Sequence, residues 1–357
     1  MDFGLSEEQQ MLQQTVRAFV ENECPVAHLR EVFDGDAEFD ERLWRGFGEM
    51  GIAGLLVSEE YGGAGMEFLD LALVAEVLGA GAVPAPFLGH ALATVAIAEA
   101  GSDVQKEKWL PALASGEHLA TVALGEPGSR WDPSEYRVDL KDGRLTGLKS
   151  FVTNANRADS IVVALADGKL AVVDRASEGV KITPVNCADR TQRSHSVEFA
   201  NAPAELLALP AVARVRDAGL VLLAADALGG AWRLVEMATE YAKTREQFGR
   251  KIAEFQAVKH QLADMAISVE PARALVWYAA HAFDHIREQA EHAAAMAKAH
   301  VSDRFVQVSR DAVEIYGGIG LTWECEVHIW LKRALFDRTY LGLPARHRER
   351  CARLSGW

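Results

Sequence analysis

The chain has little cysteine, little proline and no excess of basic charge. It has 357 residues, with only four cysteines and eleven prolines. Cys24, Cys187, Cys325 and Cys351 stand far apart with no CxxC spacing, which excludes a zinc-ribbon pattern and a disulfide framework and makes a reducing cytoplasm the default expectation. Lys and Arg total 37 against 51 Asp and Glu, a formal net charge of -14 that repels a phosphate backbone and argues against a nucleic-acid partner. Residues 1–14 are amphipathic and acidic and lack the basic start and apolar run of a signal peptide. The longest apolar stretch, residues 219–232, is interrupted by Asp226, so no membrane span is expected. GxGxxG after a strand, GxxxxGK[ST] and GxSxG are all missing, and with them the local support for dinucleotide-fold, P-loop and hydrolase readings.

What is present is 49% apolar residues, enough to bury large cores. Ser6 followed by Gln9 is a capping box, and Leu12, Val16, Phe19 and Val20 then recur at helical spacing. Further helices are expected over 40–51, 67–79, 89–100 and 103–114, separated by Gly- and Pro-rich turns. From Leu119 the pattern changes to short runs bounded by Gly, Asp, Asn or Pro, and Asp142-Gly143 marks a tight hairpin. After Ala211 helical spacing returns, over 218–243, 252–270, 273–289 and 292–316. The expectation is an α+β chain, mostly α: an N-terminal helical domain (1–118), a middle β-barrel or sandwich domain (119–210) and a C-terminal four-helix bundle (211–357).

Four segments carry possible chemistry. Arg245, Gln247 and Phe248 lie in a Gly-containing turn between helices, where an Arg fork suits a pyrophosphate and a Gln amide a heterocycle edge. A basic turn with Phe248 packed in the core is the plain alternative. Gly317 and Gly318 close the last long helix; glycines there are ordinarily a C-cap, but they also let a ligand approach the backbone. Phe151 and Thr153 stand at i and i+2 of a strand, where a flat cofactor could stack on one and hydrogen-bond the other. Gly125-Glu126-Pro127-Gly128 reads as a turn. His281 and His285 share a helix face, but no third ligand stands at metal-site spacing, so no metal is expected.

Taken in order, these segments resemble the acyl-CoA dehydrogenase family. Arg245-Glu246-Gln247-Phe248-Gly249 is similar to its R-x-Q-F-G element, Gly125-Glu126-Pro127-Gly128 to its T-E-P-G turn, and Phe151-Val152-Thr153-Asn154 to its W-I-T-N strand. Tyr316-Gly317-Gly318-Ile319-Gly320, with Thr322 and Glu324, is similar to its late glycine motif. The resemblance implies FAD between β domain and bundle, with the Arg245 and Gly317 elements reaching a neighbouring subunit's FAD. It also implies an acyl-CoA substrate, α-proton removal by a carboxylate, β-hydride transfer to flavin, and an electron-transfer flavoprotein or similar acceptor.

The chain departs from that pattern where the base should be. Tyr340-Leu341-Gly342-Leu343 puts Leu341 in place of one family glutamate, and Gly219-Leu220 occupies the alternative position. Gly125 replaces the threonine of T-E-P-G, and Arg130-Trp131 brings bulk to a stretch that is small in the family. This asymmetry resembles the base-lacking subunit of the α2β2 acyl-CoA dehydrogenases of actinobacterial steroid degradation and cholesterol catabolism. It implies a catalytic partner subunit and a steroid side-chain CoA substrate. A homomeric enzyme with a relocated base such as Asp217, Asp226 or Asp337, and a catalytically silent flavin-binding or scaffold protein, are the alternatives.

Overall fold

The computed structural model describes residues 4–357; the first three residues of the acidic opening stretch lie outside it. Six helices come first: α1 (Glu7–Glu23), α2 (Val26–Asp34), α3 (Glu41–Glu49), α4 (Phe68–Ala80), α5 (Phe87–Ala100) and α6 (Asp103–Ala114). Two begin with reciprocal capping boxes. The Ser6 hydroxyl accepts from the Gln9 amide at 3.2 Å while the Gln9 side chain accepts from Ser6 N at 3.1 Å, and Ser102 and Gln105 repeat the arrangement. Helix α2 follows Pro25 without a side-chain cap, so the sequence carries no start signal for it.

The strands β1 (Ala120–Ala123), β2 (Asp139–Lys141), β3 (Arg144–Thr153), β4 (Ser160–Ala164), β5 (Leu170–Asp174), β6 (Val180–Val185), β7 (Ser194–Pro203) and β8 (Glu205–Leu206) form two four-stranded sheets. Their orders are β1-β4-β5-β8 and β2-β3-β7-β6. The sheets pack face to face over Ile161, Val163, Val173, Leu145, Val197 and Phe199, so the arrangement is a sandwich and not a closed barrel. Strands β1 and β4 run parallel, which an all-antiparallel expectation misses. The Asp142-Gly143 hairpin forms as expected, with Lys141 opposite Arg144 and both turn residues at positive φ.

Beyond the sheets, α7 (Val212–Thr244), a short hairpin of β9 (Glu246–Gln247) and β10 (Arg250–Lys251), α8 (Gln256–His285), α9 (Arg287–Tyr316), α10 (Val327–Thr339) and α11 (Pro344–Leu354) complete the chain. The expected four long helices are three long and two short. Residues 256–285 form one helix, through Pro271, where two segments meeting near 271 were expected; the real break is at Ile286, where φ is -135. Packing of Val269, Ala272 and Val276 into the core holds the helix together across the proline.

By length and composition α7 could cross a membrane, contrary to the expectation that no stretch is long enough, but its most apolar window is 89% buried inside the protein. It is the central core helix. It meets α4 at two glycines: a Cβ on Gly229 would lie 1.8 Å from the Glu76 backbone oxygen, and one on Gly79 would lie 2.0 Å from that of Asp226. Neither backbone can yield as a side chain could. Gly229→Ala is therefore expected to lower stability by at least about 1–3 kcal/mol, the usual cost of overpacking, read as a reduced midpoint in urea unfolding.

Candidate functional site

Leu341 and Gly219, the two positions expected from the resemblance to correspond to the base, meet in this structure, and neither is a carboxylate. Leu341 sits in the turn between α10 and α11 with φ 60, a left-handed conformation unfavourable for a branched side chain, and is 3% exposed. Its side chain is packed onto α7 and α5: a Cβ on Gly219 would lie 2.5 Å from Leu341 Cδ1 and 3.2 Å from Leu92 Cδ1. A cleft of about 550 Å³ opens at the surface beside Leu341, Trp131 and Arg346, while the interior between α4, α5 and α7 has little free space. Voids of about 20 Å³ beside Leu88, Leu222 and Leu223 and about 10 Å³ beside His90 and Thr94 hold a water at most, and neither admits an acyl chain.

One to two helical turns deeper lies a buried charge cluster. Arg333 on α10 forks onto Asp226 of α7, with Nε–Oδ1 at 2.9 Å and Nη2–Oδ2 at 2.6 Å, and donates to Thr191 Oγ1 at 2.8 Å. Asp337 is buried against Asp226, and desolvation beside that carboxylate holds its carboxyl well above the ordinary range. Lys298 of α9 donates to the Asp337 carbonyl, and burial pushes its ammonium down to about 7. Asp217 is paired with Arg216 at 2.7 Å. Of the three carboxylates considered as relocated bases, two are committed to arginines and the third is buried against another carboxylate.

The β-domain residues also fill inward. Thr153 is fully buried, its hydroxyl without a well-formed hydrogen bond and with the Tyr340 phenol beside it. Phe151 does not share its face as strand alternation suggests. The β3–β7 register shifts between Lys149 and Val152, Phe151 takes φ 58, and its ring is 39% exposed. Trp131 lies over Gly125, stacks on Phe151 with centroids 6.2 Å apart and meets the Tyr340 ring edge-on at 5.1 Å. Glu126 is structural: its carboxylate accepts from Arg137 N, Val138 N and Lys149 Nζ at 2.7 to 3.0 Å. The Trp131 indole occupies the space between Phe151 and Tyr340.

The opposite end of α7 is open. Arg245 caps the helix, and the β9–β10 hairpin turns through Phe248 and Gly249, both at positive φ. Phe248 is 91% exposed, so the alternative that buries it in the core fails. Among the described residues the Arg245 guanidinium makes no hydrogen bond or ion pair, and Gln247 donates only to the Glu246 carbonyl. Tyr241, whose carbonyl accepts from Arg245 N, stacks on Tyr316 at 4.1 Å and 11°. That contact brings the hairpin beside Gly317 and Gly318. Gly317 is the C-cap expected, at φ 64, and a Cβ on either glycine would meet nothing within 4 Å. Both therefore leave their backbone open to approach.

Along α7, Gly219 and Arg245 stand about 39 Å apart at the helical rise. One dinucleotide cannot touch both ends, so the pocket beside Leu341 and the turn at Arg245 could not serve the same cofactor.

The family follows from comparison. The acyl-CoA dehydrogenase N-terminal domain matches residues 6–117 and the acyl-CoA dehydrogenase C-terminal domain residues 217–355, and the chain belongs to the acyl-CoA dehydrogenase family. It is thus a flavin-dependent oxidoreductase acting on acyl-CoA, and its cofactor is FAD. It is 34% identical to acyl-CoA dehydrogenase IpdE2 of Mycolicibacterium smegmatis over 98% of each chain. Among solved structures it is similar to a chain of the Tcur3481-Tcur3483 steroid acyl-CoA dehydrogenase, with 30% identity, 98% of each chain covered and TM-score 0.91. It is similar also to a chain of the ChsE4-ChsE5 complex of Mycobacterium tuberculosis, with 28% identity, TM-score 0.90, and 100% of this chain and 99% of that chain covered.

Two features lay outside sequence reasoning: the stacking of Trp131 with Tyr340 and the Arg333–Asp226 pair, each joining residues more than a hundred positions apart. The second is the more costly to break. Arg333→Leu would leave Asp226 and Asp189 buried without their cation, and is expected to cost about 3–5 kcal/mol, measured by denaturant unfolding.

Proposed function

We propose that this chain is the base-lacking subunit of an α2β2 acyl-CoA dehydrogenase and completes the FAD site of a catalytic partner. One observation carries this reading: Leu341 and Gly219 close this chain's own base position with packed hydrocarbon, while Arg245, Gln247, Phe248, Gly317 and Gly318 form an open, ligand-ready end. FAD, when bound, accepts the β hydride of the acyl-CoA. The residues of this chain do the holding. Arg245 would hold the pyrophosphate with its guanidinium fork, Gln247 would offer its amide to a heterocycle edge, and Phe248 would cover an apolar face. The backbone at Gly317 and Gly318 lets the cofactor lie close.

In this reading the partner supplies the carboxylate that removes the α proton, and the substrate is a steroid side-chain CoA. Support comes from the likeness to chains of a two-protein steroid acyl-CoA dehydrogenase and of the ChsE4-ChsE5 complex. The chain divides into units 1–118, 119–210 and 211–357, with the last carrying the subunit contact. Electrons leave to an electron-transfer flavoprotein or similar acceptor. All four cysteines are free, which accords with a cytoplasmic complex.

Two outcomes test the reading. The chain purified alone should bleach no flavin when mixed with short, long or steroid acyl-CoAs, because no group at Leu341 or Gly219 accepts a proton; turnover by the homomer would refute it. In the co-purified complex, Arg245→Ala should weaken FAD retention tenfold or more, the loss of a charge-assisted contact on the order of 1.5–3 kcal/mol. Unchanged flavin affinity would remove Arg245 from the site.

A further inference from the structure

The walls of a flat aromatic slot survive in this chain, and one of its own side chains lies in it. Gly125 after β1, Phe151 and Thr153 on β3, and Tyr340 after α10 surround the Trp131 indole, which is 8% exposed. The six-membered ring of the indole lies against the Gly125 backbone, since a Cβ there would be 2.6 Å from Cζ3 and 2.8 Å from Cη2. Phe151 is stacked within 27° of the indole plane, and Tyr340 closes the side edge-on at 60°. The fit is good for hydrocarbon and poor for polarity. The buried Thr153 hydroxyl has only the Tyr340 phenol beside it, in poor hydrogen-bond geometry, and the heteroatom edge of a flavin would offer it a better partner.

Trp131 is held in place by a strap. Residues 129–136 cross from the β domain onto α11, where Arg346 donates to the Ser129 carbonyl at 3.0 Å and to Glu135 at 2.6 Å, and Arg350 reaches Asp132 at 3.3 Å. The Tyr136 hydroxyl donates to the Trp131 carbonyl at 3.2 Å. A cleft of about 550 Å³ opens beside the indole, lined by Trp131, Leu341, Arg346 and Arg350 among others.

We propose that Trp131 is an internal plug standing in for a flavin ring, pinned by the Arg346–Glu135 strap, and that it confines flavin to the partner's sites. The idea rests on the split-site reading of the function and adds the residue that enforces it. Removing the indole should unmask a latent flavin site in this chain.

The test counts flavin absorbance against protein mass in the co-purified complex equilibrated with excess FAD. The wild-type complex is expected to hold one FAD for every two chains. Trp131→Ala should raise this toward one FAD per chain, and the added flavin should show as quenched FAD fluorescence. Trp131→Phe, which still fills the slot with an aromatic ring, should stay at the wild-type ratio. Should the alanine variant not assemble, Arg346→Ala loosens the strap without emptying the slot and should also admit extra flavin. A ratio unchanged in both Trp131→Ala and Arg346→Ala overturns the plug and leaves the split-site reading standing. One FAD per chain in the wild-type complex overturns both.

Discussion

The structure is organised by one unbroken helix. Helix α7 runs from Val212 to Thr244 as a rigid rod, gripped by α4 at Gly79 and Gly229 so closely that no side chain could separate the backbones. Everything with chemical meaning is placed by its two ends. Gly219 faces the turn that carries Leu341, and Arg245 emerges at the other end beside Gly317. Because the rod neither bends nor shortens, the two ends cannot collaborate on one cofactor, and a chain built this way serves a flavin at each end or at only one. Here the Gly219 end is shut and the Arg245 end is open.

The shut end is stabilised as a protein core is. A pocket that no longer receives a cofactor and an acyl chain would be an empty cavity, and cavities of that size cost several kcal/mol. Leu341, Leu92 and Trp131 fill that space, and Leu341 accepts a left-handed backbone to do so. The Arg333, Asp226 and Asp337 cluster makes the same point with charge. Its ion pair is held because all its partners are buried together, and a buried charged group about two turns below Leu341 and Gly219 is a poor neighbour for the apolar tail of a thioester.

Local signals in the sequence were good guides to the elements. Ser6 and Ser102 start helices through side-chain caps, and Asp142-Gly143 makes its hairpin, because each is decided within a few residues. Where the chain is ruled by distant packing, local signals failed. The helix expected to end at 270 runs on through Pro271 because the core holds it, and β6, short and carrying Pro184, was not singled out as a strand although Val180 and Ile182 alternate with Lys181 and Thr183. The expectation of no base rests on Leu341 and Gly219, each of which falls in a motif, but nothing local tells that the two positions touch. The role of Trp131 was only half legible: its bulk could be read from the sequence, while its place between Phe151 and Tyr340 depends on a contact across some two hundred residues.

The open end has the opposite energetics, and that difference argues for a partner. Phe248 holds its ring almost wholly in water at positive φ, and Ile319, Leu321 and Trp323 just beyond the glycines are at least half exposed. None of this helps the chain fold alone; an exposed phenylalanine in a strained turn gains nothing from burial, and an unpaired arginine gains nothing from charge. Such a surface is stabilised only when something covers it. A polyanionic cofactor with an aromatic face, seated on a neighbouring subunit, meets each of these needs together: phosphate for Arg245, a ring for Phe248, and close backbone approach at Gly317. On the proposed reading, the fold spends its own stability sealing one half-site and depends on association to complete the other.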